Sequence, residues 1–273
     1  MRDITVRSGL TDFRLVFRSG LLAGLLAVLC CFLCHCGVKY SREAASTSTE
    51  PKTPAEKLLQ TFLSSNDGLD TIKGLGRVKI TQDGQLSSFR AAWIGRQPNQ
   101  FRIEALAASG RPAISFSSDG TRFYFLSYSD GRLVRRKASE NGLGRIVSID
   151  MGVKDFLDLL SGRFPVQQGG GDVRLQENGD FGAILIVEGG ACKCIERVFL
   201  NADRTRIVRF ERRERGGKLL FRVDFGKIKE TEGFQLPESM TITDNNGTEI
   251  QIAVERCWVN PELDEDAFVL KAP

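Results

Sequence analysis

Histidine is nearly absent from this sequence: its 273 residues contain one, His35, which lies among four of the seven cysteines. Ser-His-Asp and Cys-His catalytic sites need an imidazole as base, so neither can form after residue 35. The other cysteines, Cys192, Cys194 and Cys257, make a poor zinc site without histidine. We therefore expect no enzymatic activity, no metal site and no cofactor in the domain that follows.

Long apolar runs and a strong charge of one sign are also missing. The longest apolar stretch, Leu21 to Leu33, is too short for a membrane-spanning helix, which needs about 20 residues. The net charge is only +4 and the cations are spread along the chain, which argues against nucleic-acid binding. With 41% hydrophobic and 26% charged residues, the composition is typical of a globular protein.

The first 35 residues are predicted to be an export signal, because a basic segment precedes the short apolar run. That run ends in Leu33-Cys34-His35-Cys36-Gly37, which resembles a bacterial lipobox, with His35 where the pattern has Gly, Ala or Ser. In lipoproteins this cysteine becomes the first mature residue and carries acyl chains, so Cys36 is the predicted lipid anchor. A cleaved soluble signal and an uncleaved membrane anchor are the alternatives.

Residues 36–53 have almost no apolar content and are predicted to be a flexible tether to a domain at 54–273. Acyl chains would hold the protein at a membrane, since each buried methylene contributes about 0.8 kcal/mol. Val38-Lys39 lacks the aspartate that retains some lipoproteins in the inner membrane. We therefore expect a periplasm-facing protein, preferentially at the outer membrane.

The rest of the chain is predicted to form one strand-rich domain. Thr53-Pro54-Ala55-Glu56 is a capping box that begins a helix. Segments of alternating apolar residues follow, separated by turns such as Asp83-Gly84, a pattern typical of antiparallel hairpins. A second helix near Val153 to Leu160, with Asp150 as N-cap and Gly162 as stop, divides two groups of strands. This pattern predicts a mainly β, α+β domain with about eleven strands and two helices.

Phenylalanine dominates the aromatic residues, with 18 Phe against three Tyr and two Trp. One interpretation is an ordinary core covered by the two helices. The other is a sheet curved around an apolar cavity, with the helices as a removable lid. The candidate cavity residues are Phe89, Trp93, Phe101, Ile103, Phe116, Phe123, Phe125, Phe221 and Phe225. The candidate lid residues are Phe156, Leu157 and Leu160, and the glycine-rich segment 167–171 is the candidate hinge.

The later cysteines and a run of arginines leave alternatives open. In an oxidising envelope we expect a disulfide from Cys257 to Cys192 or Cys194, with free thiols or a redox or metal role as alternatives. The arginines between positions 204 and 215 indicate a solvated strand pair, with contact to lipid headgroups as the alternative.

Four segments, in order along the chain, resemble the LolA/LolB superfamily of bacterial periplasmic lipoprotein carriers and receptors. They are LDTIKGLGRVKI at 69–80, PNQFRIEA at 98–105, FLDLLSGRFP at 156–165 and FVLKAP at 268–273. The resemblance covers roughly residues 55–273. It implies an unclosed antiparallel half-barrel with a helical lid over an apolar cavity that accepts acyl chains.

An acylated N-terminus is similar to the LolB-like receptor rather than to the soluble LolA-like carrier. The loop 107–110, Ala-Ala-Ser-Gly, lacks the bulky apolar residue that the receptor exposes there. We expect an envelope lipoprotein that binds acyl chains or lipoprotein cargo and acts in lipoprotein localisation or lipid transfer. The alternative is a structural or assembly lipoprotein without lipid cargo, whose arginine surface contacts an envelope protein.

The lipid anchor gives a first test. Substitution Cys36→Ala should abolish metabolic labelling of the protein with palmitate, because Cys36 is the predicted acylation site. The same substitution at Cys34 should leave labelling intact. Labelling that survives in Cys36→Ala would show that another residue carries the acyl chains.

Overall fold

The computed structural model describes residues 53–138, 148–166, 171–189 and 193–272. The predicted signal, the tether before residue 53, Cys36, Cys192 and hinge residues 167–170 lie outside the described residues. In the described part of the chain, no helix is long and apolar enough to cross a membrane.

The described domain is mainly β, with two helices and fifteen strands. The helices are α1 (Pro54–Leu63) and α2 (Val153–Leu160). The strands are β1 (Thr71–Gln82), β2 (Gln85–Arg96), β3 (Gln100–Leu106), β4 (Pro112–Ser118), β5 (Arg122–Ser127), β6 (Arg132–Lys137), β7 (Asp172–Glu177), β8 (Ala183–Gly189), β9 (Cys194–Leu200), β10 (Ile207–Glu214), β11 (Leu219–Phe225), β12 (Ile228–Thr231), β13 (Phe234–Pro237), β14 (Ser239–Thr243) and β15 (Glu249–Val259).

Thirteen strands form one antiparallel sheet in the order β6-β5-β4-β3-β2-β1-β15-β14-β11-β10-β9-β8-β7, and β12 and β13 form a separate ribbon. Strands β6 and β7 are the two edges, so the sheet is not closed. The open antiparallel sheet is as expected, but the predicted number of strands, about eleven, is wrong. Strands β7, β12 and β13 are only four to six residues long, although Glu232 and Gly233 have the positive φ angles of a hairpin turn.

Side-chain hydrogen bonds cap the N-terminus of α1 but not that of α2. The capping box of α1 is confirmed: Thr53 Oγ1 accepts from the Glu56 N–H at 3.2 Å, and the Thr53 N–H donates to Glu56 Oε2 at 3.1 Å. The predicted N-cap Asp150 of α2 is wrong, because the cap is Gly152, without a side-chain hydrogen bond. Gly162 ends α2 with φ +66°, as predicted.

Side chains on alternate positions divide the sheet into an inner face, which carries both helices, and an outer face. One inner row crosses six neighbouring strands through Phe125, Phe116, Ile103, Trp93, Gly74 and Cys257. The Trp93 indole occupies the space that a Cβ of Gly74 would need. Glycine in β1 therefore lets this large ring lie flat against the backbone of the sheet.

A buried ion cluster joins α2 to the second half of the sheet. Arg212 of β10, with only 6% of its surface exposed, contacts Asp155 of α2 at 2.5 Å and Glu196 of β9 at 2.9 Å. Its guanidinium also donates to the Pro165 carbonyl at 2.5 Å, just after α2. One cation thus fixes the helix, the segment that follows it and two strands.

The arginine run at 204–215 differs from the prediction, because Arg212 is buried rather than solvated. Other members of the run are paired: Arg204 with Glu177 at 2.6 Å, Arg209 with Asp224 at 2.5 Å and Arg213 with Glu211 at 2.9 Å. Alternation places Arg212 on the same face as the buried Phe210, but the strand sequence alone does not show that α2 covers this face. Four of the six arginines are paired with acids, and these four therefore do not form a free cationic surface for lipid headgroups.

The two helices and the ribbon form one unit on the inner face, which we call the cap. The Asn66 side-chain amide, just after α1, donates to the Ser161 and Gln235 carbonyls, both at 2.8 Å, and its Oδ1 accepts from the Gln235 N–H at 2.8 Å. Arg163 donates to the Asn66 carbonyl at 2.9 Å. These bonds tie the end of α1 to the end of α2 and to β13.

The C-terminal segment covers part of the outer face. Phe268 is fully buried, its carbonyl accepts from Ser117 Oγ at 2.7 Å, and Arg96 lies 5.4 Å from its ring centroid. Leu270 packs with Tyr124 in a second small apolar cluster. The terminal residues are thus part of the fold rather than a loose tail.

The buried ion cluster gives a stability test. Arg212→Ala should lower the free energy of unfolding by about 3–5 kcal/mol, because Asp155 and Glu196 lose their shared cation away from water. Denaturant unfolding followed by circular dichroism measures the change. The control Arg174→Ala breaks an exposed pair with Glu188 and should cost about 0–1 kcal/mol. Equal losses in the two variants would contradict this role for Arg212.

Candidate functional site

An apolar cavity of about 130 Å³ lies on the inner face, beside α2 and the first five strands. All of its lining side chains are apolar. They are Val78, Ile80, Phe89, Phe101, Ile103, Ala105, Ile114, Phe116, Phe125, Phe156, Ile250 and Ile252. The lining contains no acid, base or nucleophile, so the cavity can bind a ligand only by removing its apolar surface from water.

Strand register places these side chains together. Phe89 lies opposite Val78, and Phe116 lies between Ile103 and Phe125 on neighbouring strands. Inward positions of antiparallel neighbours stay side by side, so short alternating strands build a continuous apolar surface. The sheet therefore supplies the floor and most of the wall of the cavity.

Helix α2 supplies the remaining wall. Phe156 meets Phe101 edge to face, with ring centroids 5.3 Å apart. Leu157 lies against Gly95 so closely that a Cβ there would overlap its Cδ1. Asp158 accepts from Gln97 at 3.1 Å and from Lys154 at 2.5 Å. The position of Phe156 is thus set by packing on both sides of it and by a side-chain hydrogen bond to the sheet.

The cavity is open to water. Ile114 is 43% exposed, and Ile80, Phe89, Ile103 and Phe125 are only half-buried. An ordinary core would bury apolar side chains of this size, whereas concave apolar surfaces in contact with water are typical of binding sites.

The structure separates the predicted cavity residues into two groups. Phe89, Phe101, Ile103, Phe116 and Phe125 line the cavity. The others do not: Trp93, Phe123 and Phe221 are buried in the core, and Phe225 lines a different pocket. Of the predicted lid residues, Phe156 lines the cavity, while Leu157 and Leu160 are buried between α2 and the sheet.

Sequence reasoning found Ile103 but missed the other aliphatic side chains of the lining, because it followed mainly the aromatic residues. The missed side chains are Val78, Ile80, Ala105, Ile114, Ile250 and Ile252. The sequence does carry a signal for them, since each of these residues is an apolar position in a segment whose alternation predicts a strand. What the sequence did not show was that β15 pairs with β1 and so brings Ile250 and Ile252 beside Ile80 and Val78.

Two further depressions flank the cap. One, of about 250 Å³, is lined by Phe62, Phe164 and Phe225. The Phe164 ring meets Phe62 and Phe225 edge to face, with centroids 6.5 and 5.5 Å apart. The other, of about 400 Å³, lies between the ribbon and β15 and has a mixed polar and apolar lining that includes Cys257 and Trp258. Within the described ranges, no group of His, Cys, Asp and Glu side chains is placed to hold a metal ion.

The cysteines differ from the prediction. Cys257 carries a free thiol, whereas Cys194 is disulfide-bonded. The expected disulfide from Cys257 is therefore wrong. Cys194 begins β9, which is four strands away from β15 in the sheet order. At about 4.8 Å per strand the separation is roughly 19 Å, far beyond the reach of a disulfide.

Comparison with known proteins supports the fold. No family model and no curated protein matches the sequence. A LolA superfamily protein from Nitrosomonas europaea is 14% identical, with a TM-score of 0.53 over 79% of this chain and 97% of its own. A DUF1329 family protein from Desulfovibrio piger is 11% identical, with a TM-score of 0.56 over 78% and 93%.

A third structure is a putative outer membrane lipoprotein-sorting protein domain from Vibrio parahaemolyticus. It is 12% identical, with a TM-score of 0.49 over 78% of this chain and 95% of its own. At these identities the first two matches establish the fold alone. The described domain has a LolA/LolB-like fold, which confirms the resemblance predicted from the sequence.

Thiol reactivity tests the environment of Cys257. Burial raises the pKa of the Cys257 thiol to about 11, so little thiolate exists near neutral pH. We expect iodoacetamide at about pH 8 to modify Cys257 in the folded protein roughly 200-fold more slowly than an ordinary free cysteine. The rate should increase as pH rises towards 11 or when urea unfolds the protein. Peptide mass spectrometry measures the modification, and rapid labelling of the folded protein would contradict the burial.

Proposed function

We propose that this protein is an envelope lipoprotein, anchored through Cys36, whose apolar cavity binds the acyl chain of a lipid or a lipoprotein. The observation that carries the proposal is the entirely apolar lining of a cavity that is open to water. Burial contributes about 0.8 kcal/mol for each methylene, so about ten buried carbons would supply roughly 8 kcal/mol, which corresponds to micromolar affinity, without a hydrogen bond. The role would be lipoprotein localisation or lipid transfer at the periplasmic side of the outer membrane.

The volume of the cavity limits what the observed arrangement can hold. An apolar cavity of about 150 Å³ accommodates a ligand the size of benzene. At about 130 Å³, this cavity would take only the end of a long acyl chain. Binding of a whole chain therefore requires Phe156 to move outward, which makes α2 the lid of the proposed function.

The contacts of α2 define what opening would cost. The helix would have to part from Arg212 through Asp155 and from Gln97 through Asp158. It would also have to lift Leu157 from the backbone of Gly95. Acyl burial would offset these losses, with the segment 167–171 as the proposed hinge. A ligand is thus required to hold the lid open.

One observation favours the alternative, a structural or assembly lipoprotein without lipid cargo. Trp93, Phe123 and Phe221 fill an ordinary core rather than the cavity. The aromatic content by itself is therefore explained without a ligand. The two functions differ in whether the apolar cavity binds an acyl chain, and binding measurements separate them.

A matched pair of substitutions tests acyl binding. Ile114 lines the cavity and is 43% exposed, whereas Leu86 is 66% exposed and lies outside it. Ile114→Asp should weaken binding of a fluorescent sixteen-carbon fatty acid by at least about tenfold, because it places a carboxylate in an apolar site. Leu86→Asp should bind like the unsubstituted protein. Fluorescence titration gives both dissociation constants, and thermal unfolding verifies that both variants are folded.

A third substitution, Ala105→Trp, tests whether loss of cavity volume alone reduces fatty-acid binding. This substitution fills the cavity with an apolar ring, so binding should fall although no charge is introduced. A protein that binds no fatty acid, or a loss that is equal in Leu86→Asp and Ile114→Asp, would favour the assembly function instead.

A further inference from the structure

The outer face at the middle of the sheet carries a group of exposed cations, which we call the basic surface. Its members lie on the adjacent strands β2, β1 and β15. They are Lys73, Arg77, Lys79, Arg90 and Arg256. The arginine run at 204–215, by contrast, is largely paired with acids.

Glu255 lies among these cations and is matched by one of them. Two further acids, Glu230 and Glu238, line the same depression as Arg256 and Trp258. Glu255 accepts two hydrogen bonds from Arg90, at 3.1 and 2.6 Å. This bond, with the charges of Arg77 and Arg256 nearby, lowers the pKa of Glu255. Within the described ranges, none of the other four cations forms a salt bridge, so the basic surface has an excess of positive charge.

The register of the sheet keeps two of these cations directly opposite each other. Arg77 of β1 pairs with Arg90 of β2. Like charges opposite each other destabilise a sheet. Glu255 relieves part of this repulsion through Arg90, and an anionic surface outside the protein would relieve the rest.

A tryptophan lies at the border of the basic surface. Trp258 is 41% exposed, and the Lys73 Nζ lies 5.6 Å from its ring centroid. Lys73 and Trp258 are opposite each other in the β1–β15 register, so both project from the outer face. Tryptophan is enriched at membrane–water interfaces because its ring is apolar and its N–H is polar.

We propose that the basic surface docks the domain on an anionic lipid bilayer, with Trp258 at the interface. Each lysine or arginine near such a bilayer contributes a factor of about five in binding. Exposed cations beside an exposed tryptophan match a flat anionic membrane in both charge and polarity. This proposal rests on the membrane anchoring of the proposed function, but it does not depend on which ligand the cavity binds.

Docking in this way would orient the cavity. Val78 and Phe89 line the cavity from the same two strands that carry Lys79 and Arg90 on the other face. With the basic surface on the bilayer, the cavity would point away from that membrane. A fully extended tether of residues 36–53 reaches roughly 60 Å and fixes no orientation by itself.

The experiment uses the full protein, purified from cells and reconstituted into vesicles of brominated lipid. Brominated lipid quenches only tryptophan that reaches the bilayer, and Trp93 is buried. We expect quenching of Trp258 in phosphatidylglycerol vesicles and little in phosphatidylcholine vesicles. Salt at about 0.5 M should reduce it, because salt screens exposed charges. Trp258→Phe should remove the quenched fluorescence, which would show that this fluorescence comes from Trp258.

Charge reversal provides the decisive comparison. Lys73→Glu with Lys79→Glu should lower the ratio of docked to undocked protein at least about 25-fold. The control, Arg132→Glu with Lys137→Glu, changes the net charge equally at two exposed positions of the edge strand β6. It should quench like the unsubstituted protein. Equal losses in both double variants, or equal quenching in both lipids, would overturn the proposal.

Failure of docking and failure of acyl binding remain distinguishable. Lys73→Glu with Lys79→Glu should bind the fluorescent fatty acid normally, because neither residue lines the cavity. Ile114→Asp should be quenched normally in phosphatidylglycerol vesicles. If docking and acyl binding are lost together in either variant, the two faces are not independent and the proposal of a separate docking surface is wrong.

Discussion

The position of the cap depends on one buried cation. Arg212 meets Asp155 from the helix and Glu196 from the neighbouring strand, and it also binds the backbone after α2. A buried charge of this kind is stable only while all its partners stay in place. Movement of α2 away from the sheet therefore costs electrostatic energy as well as apolar contact. This cluster holds α2, and with it Phe156, against the sheet beside the cavity.

Much of the fold was predictable because its signals are local. The capping box at Thr53, the X-Gly turns and the stop at Gly162 each depend on a few neighbouring residues, and the structure contains them. The pairing of β1 with β15 could not be read in this way, since about 170 residues separate them. For the same reason Ile250 and Ile252 of β15 were not predicted as part of the cavity lining. The burial of Arg212 was missed because its partners Asp155 and Glu196 lie on other elements, so its own strand does not show that a helix covers it.

The two faces of β1 and β2 show how alternation gives one strand two separate surfaces. Val78 and Phe89 face the cavity, whereas Lys79 and Arg90 face outward. Substitutions on one face leave the other nearly untouched, because successive side chains never share a side. The proposed acyl binding and the proposed membrane docking can therefore change separately within the same pair of strands.

The bonds of Asn66 have a mechanical consequence. The chain enters the domain at Thr53, so tension on the segment before it acts first on α1. The hydrogen bonds of Asn66 would transmit this force from α1 to the Ser161 carbonyl, at the end of α2, and to Gln235 of the ribbon. If the protein is anchored as proposed, a pull from the membrane side would strain α2 before it strains the sheet. The proposed attachment point and the proposed lid are thus joined by a few hydrogen bonds.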